Sequence, residues 1–342
     1  MRIGIFGGAF DPLHGAHIEL IEKSASALNL ARLVIVPSFN PPHKELPMLS
    51  YEKRVGLLRA FFGKSEYAVI DEIEREMNLK HSFSYLTLPN LVKKYGEANE
   101  YYYLMGADSL INFGKWAHPE IIAKYAVLAV AGRKGYEGIE DSAKRAEEDY
   151  GAKVEILNFE CGGESSTDMR KILNKLKKLQ SPELYKHSER TLIYAMRFAK
   201  RLNLSYESVF IASILHDTAK EMPPQKDKYP EPSLKIRHQF DGRVVARTEF
   251  GISDNEVLDA IEYHTTGKPE MTNLGKLVYV ADKLECGRDY ENINNIRVEI
   301  ERDFESGFLM LLKQNALSLK AKGVKISGLA KETLDFYGII ED

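Results

Sequence analysis

The chain predicts an α/β domain with a doubly wound parallel sheet, followed by an all-α domain. Three observations predict it. Short apolar runs alternate with helix-period segments up to about residue 180, no convincing strand pattern follows, and the nine histidines divide into two groups on either side of that change. At about 150 residues per domain, 342 residues suit two domains. A hydrophobic share of 44% against 28% charged residues excludes a disordered or fibrous chain. A net charge of −3 leaves no basic surface for duplex nucleic acid, although local Lys and Arg clusters can still hold a nucleotide's phosphates.

The first-half strands are expected at Arg2–Phe6, Arg32–Val36, Tyr67–Ile70, Tyr101–Met105, Ala126–Val130 and Val154–Leu157. Helical periodicity lies between them, at Ala16–Leu28, Ser50–Phe62, Tyr85–Tyr95, Glu120–Tyr125 and Asp141–Tyr150. Crossovers of this length imply a Rossmann-like parallel sheet, which binds ligand outside the carboxyl ends of its strands. Residues 171–180 form a basic amphipathic helix, and Ser181-Pro182 reads as a stop and restart. Beyond it helices are expected at Pro182–Leu202, Tyr206–Glu221, Lys235–Phe250, Asp254–His264, Leu274–Cys286 and Asn292–Gln314, with one more near the C-terminus. The expected domains are therefore 1–178 and 183–342. Cys161 and Cys286 lie far apart with no CxxC, which argues against a disulfide framework or thiolate zinc and suits a reducing cytoplasm. MRIGIFGGAF turns polar too soon for a signal peptide, and no apolar run nears the roughly 20 residues that span a bilayer. A cytoplasmic protein with no membrane or nucleic-acid partner is expected.

The loop after the first strand reads GGAFDPLHGAH (7–17). Gly7 and Gly8 let the backbone approach a phosphate where a Cβ would obstruct. His14 and His17 stand three apart at a helix start, which is already an anion site, and two imidazoles there can donate hydrogen bonds to the charge of a phosphoryl transition state. This stretch resembles the GGxFDPxHxGH signature of the HxGH nucleotidyltransferase superfamily, with Ala16 in place of the usual last Gly. That motif alone also admits pantetheine-phosphate or glycerol-phosphate nucleotidyltransferases. PPHK (41–44), GADSL (106–110), Trp116, Arg133 and SSTDMR (165–170) together make residues 1–178 resemble the bacterial nicotinate-nucleotide adenylyltransferases.

The reaction implied by that resemblance joins ATP and nicotinate mononucleotide into deamido-NAD and pyrophosphate, with the acceptor's own phosphate attacking the α-phosphorus. Catalysis is then positioning plus charge stabilisation. The resemblance puts His14 and His17 on the ATP phosphates with Mg²⁺ bridging them, and Ser165, Ser166, Thr167 and Arg170 on the triphosphate. Lys44 approaches from the PPHK loop, Asp108 meets a ribose or nicotinosyl group, and Trp116 stacks on the pyridine. Gly7, Gly8, Phe10, Gly106 and Arg133 complete the nucleotide-binding set. The family's SYTxDT-like stretch reads SYLTLPN (84–90), where Ser84 and Tyr85 match and Leu86, Leu88 and Pro89 do not. The choice between nicotinate and nicotinamide mononucleotide stays open.

In the second half, LHDTAK (215–220) sets His216 beside Asp217 inside an apolar helix, a costly pair to bury unless a metal engages both. His187, His238, His264 and Asp282 each fall on a different expected helix. Converging N and O ligands without a thiolate suit Fe, Mn or Zn rather than Ca. His81 and His118 have no assigned role. The set is similar to HD-domain phosphohydrolases, and HTTGKPEM (264–271) with ADKLECGR (281–288) makes residues 183–295 resemble the bacterial HD-domain symmetrical diadenosine-tetraphosphate hydrolases. The resemblance implies cleavage of diadenosine tetraphosphate to two ADP by metal-activated water. It makes His187, His216, Asp217, His238, His264 and Asp282 the ligands of an HD-type site, Asp217 the bridge if there are two ions, and iron the favoured metal. Lys220 and Arg288 are candidates for stabilising phosphate charge. Thr265 stands where some such enzymes carry a further His, which keeps a single-ion site open. The competing class for this half is a nucleotide-binding regulatory module.

Overall fold

The structure is a computed structural model that describes residues 1–41, 48–133, 138–162, 166–223 and 234–339. Of the residues singled out above, Lys44 and Ser165 lie outside this set. The chain divides into two compact units, Met1–Arg170 and Lys171–Asp342. Among the described residues, no helix is long and apolar enough to cross a membrane.

The first unit runs β1 (Arg2–Gly8), α1 (Gly15–Ala27), β2 (Arg32–Pro37), α2 (Tyr51–Phe62), β3 (Ala68–Ile70), α3 (Ile73–Glu76), α4 (Ser84–Tyr95) and β4 (Glu100–Gly106). It continues with α5 (Ala107–Ile111), a 3₁₀ turn (Phe113–Lys115), α6 (Pro119–Tyr125), β5 (Val127–Arg133), α7 (Ile139–Tyr150), β6 (Val154–Cys161) and α8 (Ser166–Leu179), the last running on into the second unit. The strands form one parallel sheet in the order β3-β2-β1-β4-β5-β6. This is the doubly wound arrangement, and its order reverses between β1 and β4, so the crevice for ligand opens at their carboxyl ends. Ile3, Ile5, Val34, Leu128 and Val130 are buried at its centre, as expected for strands covered on both faces. β6 extends four residues past its apolar run, because an edge strand half in water tolerates the alternating polar side chains of Asn158 and Glu160. α4 carries Pro89 in its interior, which has no N–H to offer the carbonyl of Tyr85.

The second unit is helical: α9 (Pro182–Ala199), α10 (Tyr206–Leu215), α11 (Leu234–Glu249), α12 (Asn255–Glu262), α13 (Asn273–Leu284), α14 (Ile293–Arg302), α15 (Phe304–Ala321) and α16 (Gly328–Phe336). Side-chain caps start most of them: Ser181 accepts from Leu184 N, Ser205 from Ser208 N, Asp254 from Val257 N and Thr272 from Gly275 N. Two expectations need correction. The helix expected over 292–314 is two, because Asp303 is extended (φ −142°) and caps α15 by accepting from Ser306 N. The helix expected over 206–221 ends at Leu215. Tight turns follow, Thr218 N to Leu215 O and Lys220 N to Asp217 O, so His216 caps the helix and Asp217 lies beyond it.

Candidate active sites

In the first unit the chain leaves β1 through Gly7 and Gly8 and turns at Phe10, whose φ is +48°. His14 is the N-cap of α1 and His17 lies in its first turn, with their rings stacked at 3.6 Å. Both line a cavity of about 420 Å³ at the carboxyl ends of β1, β4 and β5. Gly7, Gly8, Gly106, Asp108, Trp116, Thr167 and Arg170 share its wall, so most of the expected nucleotide site is brought together. The positive end of the α1 dipole faces the same space. A Cβ at Gly7 would come within 3.1 Å of the Tyr103 hydroxyl, and one at Gly106 within 2.7 Å of Asp108 Oδ1. Arg170 donates to Asp11 O and to Thr167 Oγ1, both at 3.2 Å. Arg133 ends β5 and Ser166 opens α8.

Phe10 is not at that wall: its buried ring lies edge-on to Phe6 at 5.4 Å and to His17 at 5.1 Å, supporting the imidazole from behind. Tyr103 and Trp116 also border a second, smaller cavity of about 130 Å³. Ser84 faces it and shares a 2.7 Å hydrogen bond with the Tyr103 hydroxyl. Tyr85 turns away and packs on His118 at 4.6 Å. The buried carboxylate of Glu74 reaches the same cavity, accepting from Phe39 N at 3.0 Å and Thr87 Oγ1 at 2.9 Å. Burial pushes the Tyr103 phenol up to about 12, so it stays neutral.

Two residues that sequence reasoning missed hold the loop. Asp11 accepts from Met48 N and Leu49 N at 2.9 Å, and the buried Arg54 donates to Ala9 O (2.6 Å) and Ser38 O (2.9 Å). Arg54 carries no local signal, because an Arg on an amphipathic helix is by default solvated.

In the second unit, all six expected ligands converge. His187, His216, Asp217 and Asp282 form one group, and Asp217, His238 and His264 a second, the ligand atoms of each lying within 4.8 Å of one another. Asp217 belongs to both. Its Oδ2 is 3.4 Å from His216 Nε2 and 3.6 Å from His187 Nε2; its Oδ1 is 3.3 Å from His238 Nε2 and 3.2 Å from His264 Nε2. That Oδ1 is buried and takes no hydrogen bond, as a donor atom awaiting a cation would be. The outer nitrogens of two rings are occupied: His216 Nδ1 bonds Ser213 O at 2.8 Å and His264 Nδ1 bonds Ile261 O at 2.7 Å, which turns each Nε2 inward. The residues fit a borderline transition metal, and Asp217 can bridge two.

Charge is finely divided here. Burial opposes the Asp217 anion, but His216 and His264 hold its carboxyl well below the usual range. Burial likewise opposes a proton on His216, yet Asp217 and Asp282 raise it to about 9, whereas burial and His264 take His238 down to about 4. Lys220 donates to Asp217 Oδ2 at 2.6 Å and Arg288 to Asp282 Oδ1 at 2.7 Å, so both cations stand at the cluster's edge. Thr265 Oγ1 lies 3.0 Å from His264 Nε2 and 3.2 Å from His238 Nε2. Sequence reasoning missed Lys283, which donates to His264 O at 2.7 Å, and Glu285, which accepts from His187.

Comparison with known proteins separates the halves in the same way. Residues 5–172 match the cytidylyltransferase-like family and residues 184–287 the HD domain. A Mycoplasma genitalium protein named as a probable nicotinate-nucleotide adenylyltransferase/Ap4A hydrolase is 26% identical over 85% of this chain and 89% of its own. A probable nicotinate-nucleotide adenylyltransferase of Exiguobacterium sibiricum is 32% identical, covering 50% of this chain and 85% of its own. The crystal structure of a Clostridium acetobutylicum protein, titled a predicted HD superfamily hydrolase involved in NAD metabolism, is 30% identical, covering 49% of this chain and 96% of its own, with a TM-score of 0.47.

Proposed function

The chain belongs through its first half to the nicotinate-nucleotide adenylyltransferase family and carries an HD domain in its second, and on that premise we propose a bifunctional enzyme of the cytoplasm. The first half transfers AMP from ATP to nicotinate mononucleotide. An oxygen of the acceptor phosphate bonds to the α-phosphorus, the α–β bridging bond breaks, and pyrophosphate leaves. The observation that carries this is the stacked His14–His17 pair at the start of α1, in one cavity with Arg170. These cations and donors meet the charge that builds on the phosphates, supplemented by Mg²⁺ entering with ATP. Asp108 and Trp116 then orient the acceptor, with Trp116 against the pyridine.

The second half hydrolyses diadenosine tetraphosphate to two ADP. Asp217, reached by both ligand groups, carries this part. His187, His216 and Asp282 would hold one ion and His238 and His264 the other, with iron first and manganese or zinc as alternatives. Such a metal supplies an activated water and polarises a phosphoryl oxygen. Lys220 and Arg288 are placed to meet the phosphate charge that follows. ADP as sole nucleotide product, from metal-stripped protein resupplied with Fe, Mn or Zn, is the expected result. AMP plus ATP, or no turnover with any metal, refutes the assignment.

One observation favours a second acceptor for the first half. The Glu74 carboxylate in the smaller cavity would repel the nicotinate carboxylate and accept a bond from an amide. Nicotinate and nicotinamide mononucleotides, compared side by side with ATP, decide between them.

A further inference from the structure

We propose that Glu285 is a positioning residue for the metal centre, one that fixes the His187 imidazole for coordination; this rests on the metal-site reading above. Glu285 is the residue at which the chain leaves α13, and its side chain is buried. Oε1 is 3.1 Å from His187 Nδ1 and 3.1 Å from Arg190 Nη2, while Oε2 takes Arg190 Nε at 2.6 Å and Gly287 N at 2.5 Å. Three donors beyond His187's thus hold the carboxylate in one orientation.

A carboxylate so engaged can only accept from His187. Nδ1 therefore carries a proton, which makes Nε2, the atom that faces Asp217, Asp282 and His216, the nitrogen that would coordinate once a metal replaces the proton it can share with Asp282. His216 and His264 are oriented by neutral backbone carbonyls, whereas His187 has an anion behind it. That charged partner, fixed in place by Arg190 and Gly287, is one the other two rings lack. Position 287 belongs to the same device, because a Cβ there would lie 2.6 Å from Arg190 Nε and push the guanidinium off Glu285.

The test uses full-length, metal-stripped protein titrated with Mn²⁺ and, separately, with Zn²⁺. Glu285→Gln keeps the shape and removes the charge. The expected result is an affinity about 10–100-fold weaker for one metal equivalent, with the other equivalent unaffected in protein that remains folded. The weakened equivalent should be the one that His187→Ala abolishes and His238→Ala spares. Equal weakening of both equivalents, or affinities matching wild type, overturns the role of Glu285. Wild-type protein that takes up neither ion overturns the metal-centre reading instead. Should Glu285→Gln fail to fold, Arg190→Gln, which loosens the carboxylate without removing it, must show the same one-sided loss.

Discussion

Truncating His17 to alanine removes one of two imidazoles from the phosphate end of the first cavity while leaving the α1 N-cap, His14, in place. Removing a single preorganised donor from developing charge typically costs about 10²–10³ in kcat, or roughly 2.7–4 kcal/mol. The His17 ring is only partly buried and packs on the rings of Phe6, Phe10 and His14. The loss in stability should accordingly stay near the ~1 kcal/mol of an aromatic contact. The two effects separate in one preparation, where pyrophosphate release at saturating ATP and acceptor is followed beside thermal melting. Rings 3.6 Å apart addressing the same phosphates must also couple, so the His14→Ala/His17→Ala double variant should lose less than the product of the singles. Loss of less than about tenfold in folded protein, or parallel loss of diadenosine-tetraphosphate hydrolysis, refutes the reasoning.

Asp217→Asn should empty both metal positions, because both ligand groups need that carboxylate. Metal analysis should fall below one equivalent and hydrolysis by more than about 100-fold, beyond the loss typical of an outer-sphere partner; retention of two equivalents contradicts the bridge. Stripping the metal from protein saturated at about 100 times Kd should remove about 2.7 kcal/mol for each ion lost, lowering the melting temperature of the helical unit by about 5–10 °C per ion without changing adenylyl transfer. Trp116 is the chain's one tryptophan, so nicotinate mononucleotide should alter intrinsic emission, and a silent titration during turnover would exclude stacking there. Glu74→Gln should raise the kcat/KM ratio of nicotinate over nicotinamide mononucleotide by about tenfold, the scale of one like-charge contact partly screened by solvent; an unchanged ratio removes Glu74 from specificity.

The alternation of strand and helix and the switch to an all-helical half were legible because buried parallel strands and amphipathic helices leave strong periodic signals. The six residues that converge in the helical half were legible too, since a buried HisAsp pair is conspicuous. The break at Asp303 was not, because the apolar positions on either side keep a helical period across it, and a single Asp gives no warning that it caps rather than continues. Phe10 and Tyr85 fell within recognisable motifs, but a motif names neighbours in sequence and not the direction of a side chain: one ring supports His17 and the other packs on His118. Arg54, Glu74 and Glu285 escaped for a shared reason. Each has at least one partner 16 or more residues away, a pairing that no local window contains.

The corner between α14 and α15 has a bearing on how sequences of this kind can vary. Asp303 can be exchanged for another capping side chain with little consequence, since Ser, Thr or Asn can accept the same bond. Gly307 has no such latitude: a Cβ there would stand 2.7 Å from Ile300 N and 2.8 Å from its Cα, backbone atoms that cannot swing aside. Divergent homologues that keep the corner should drift at 303 and stay glycine at 307. A cap followed four residues later by an invariant glycine, inside an otherwise unbroken helical pattern, then becomes a recognisable mark of a bend.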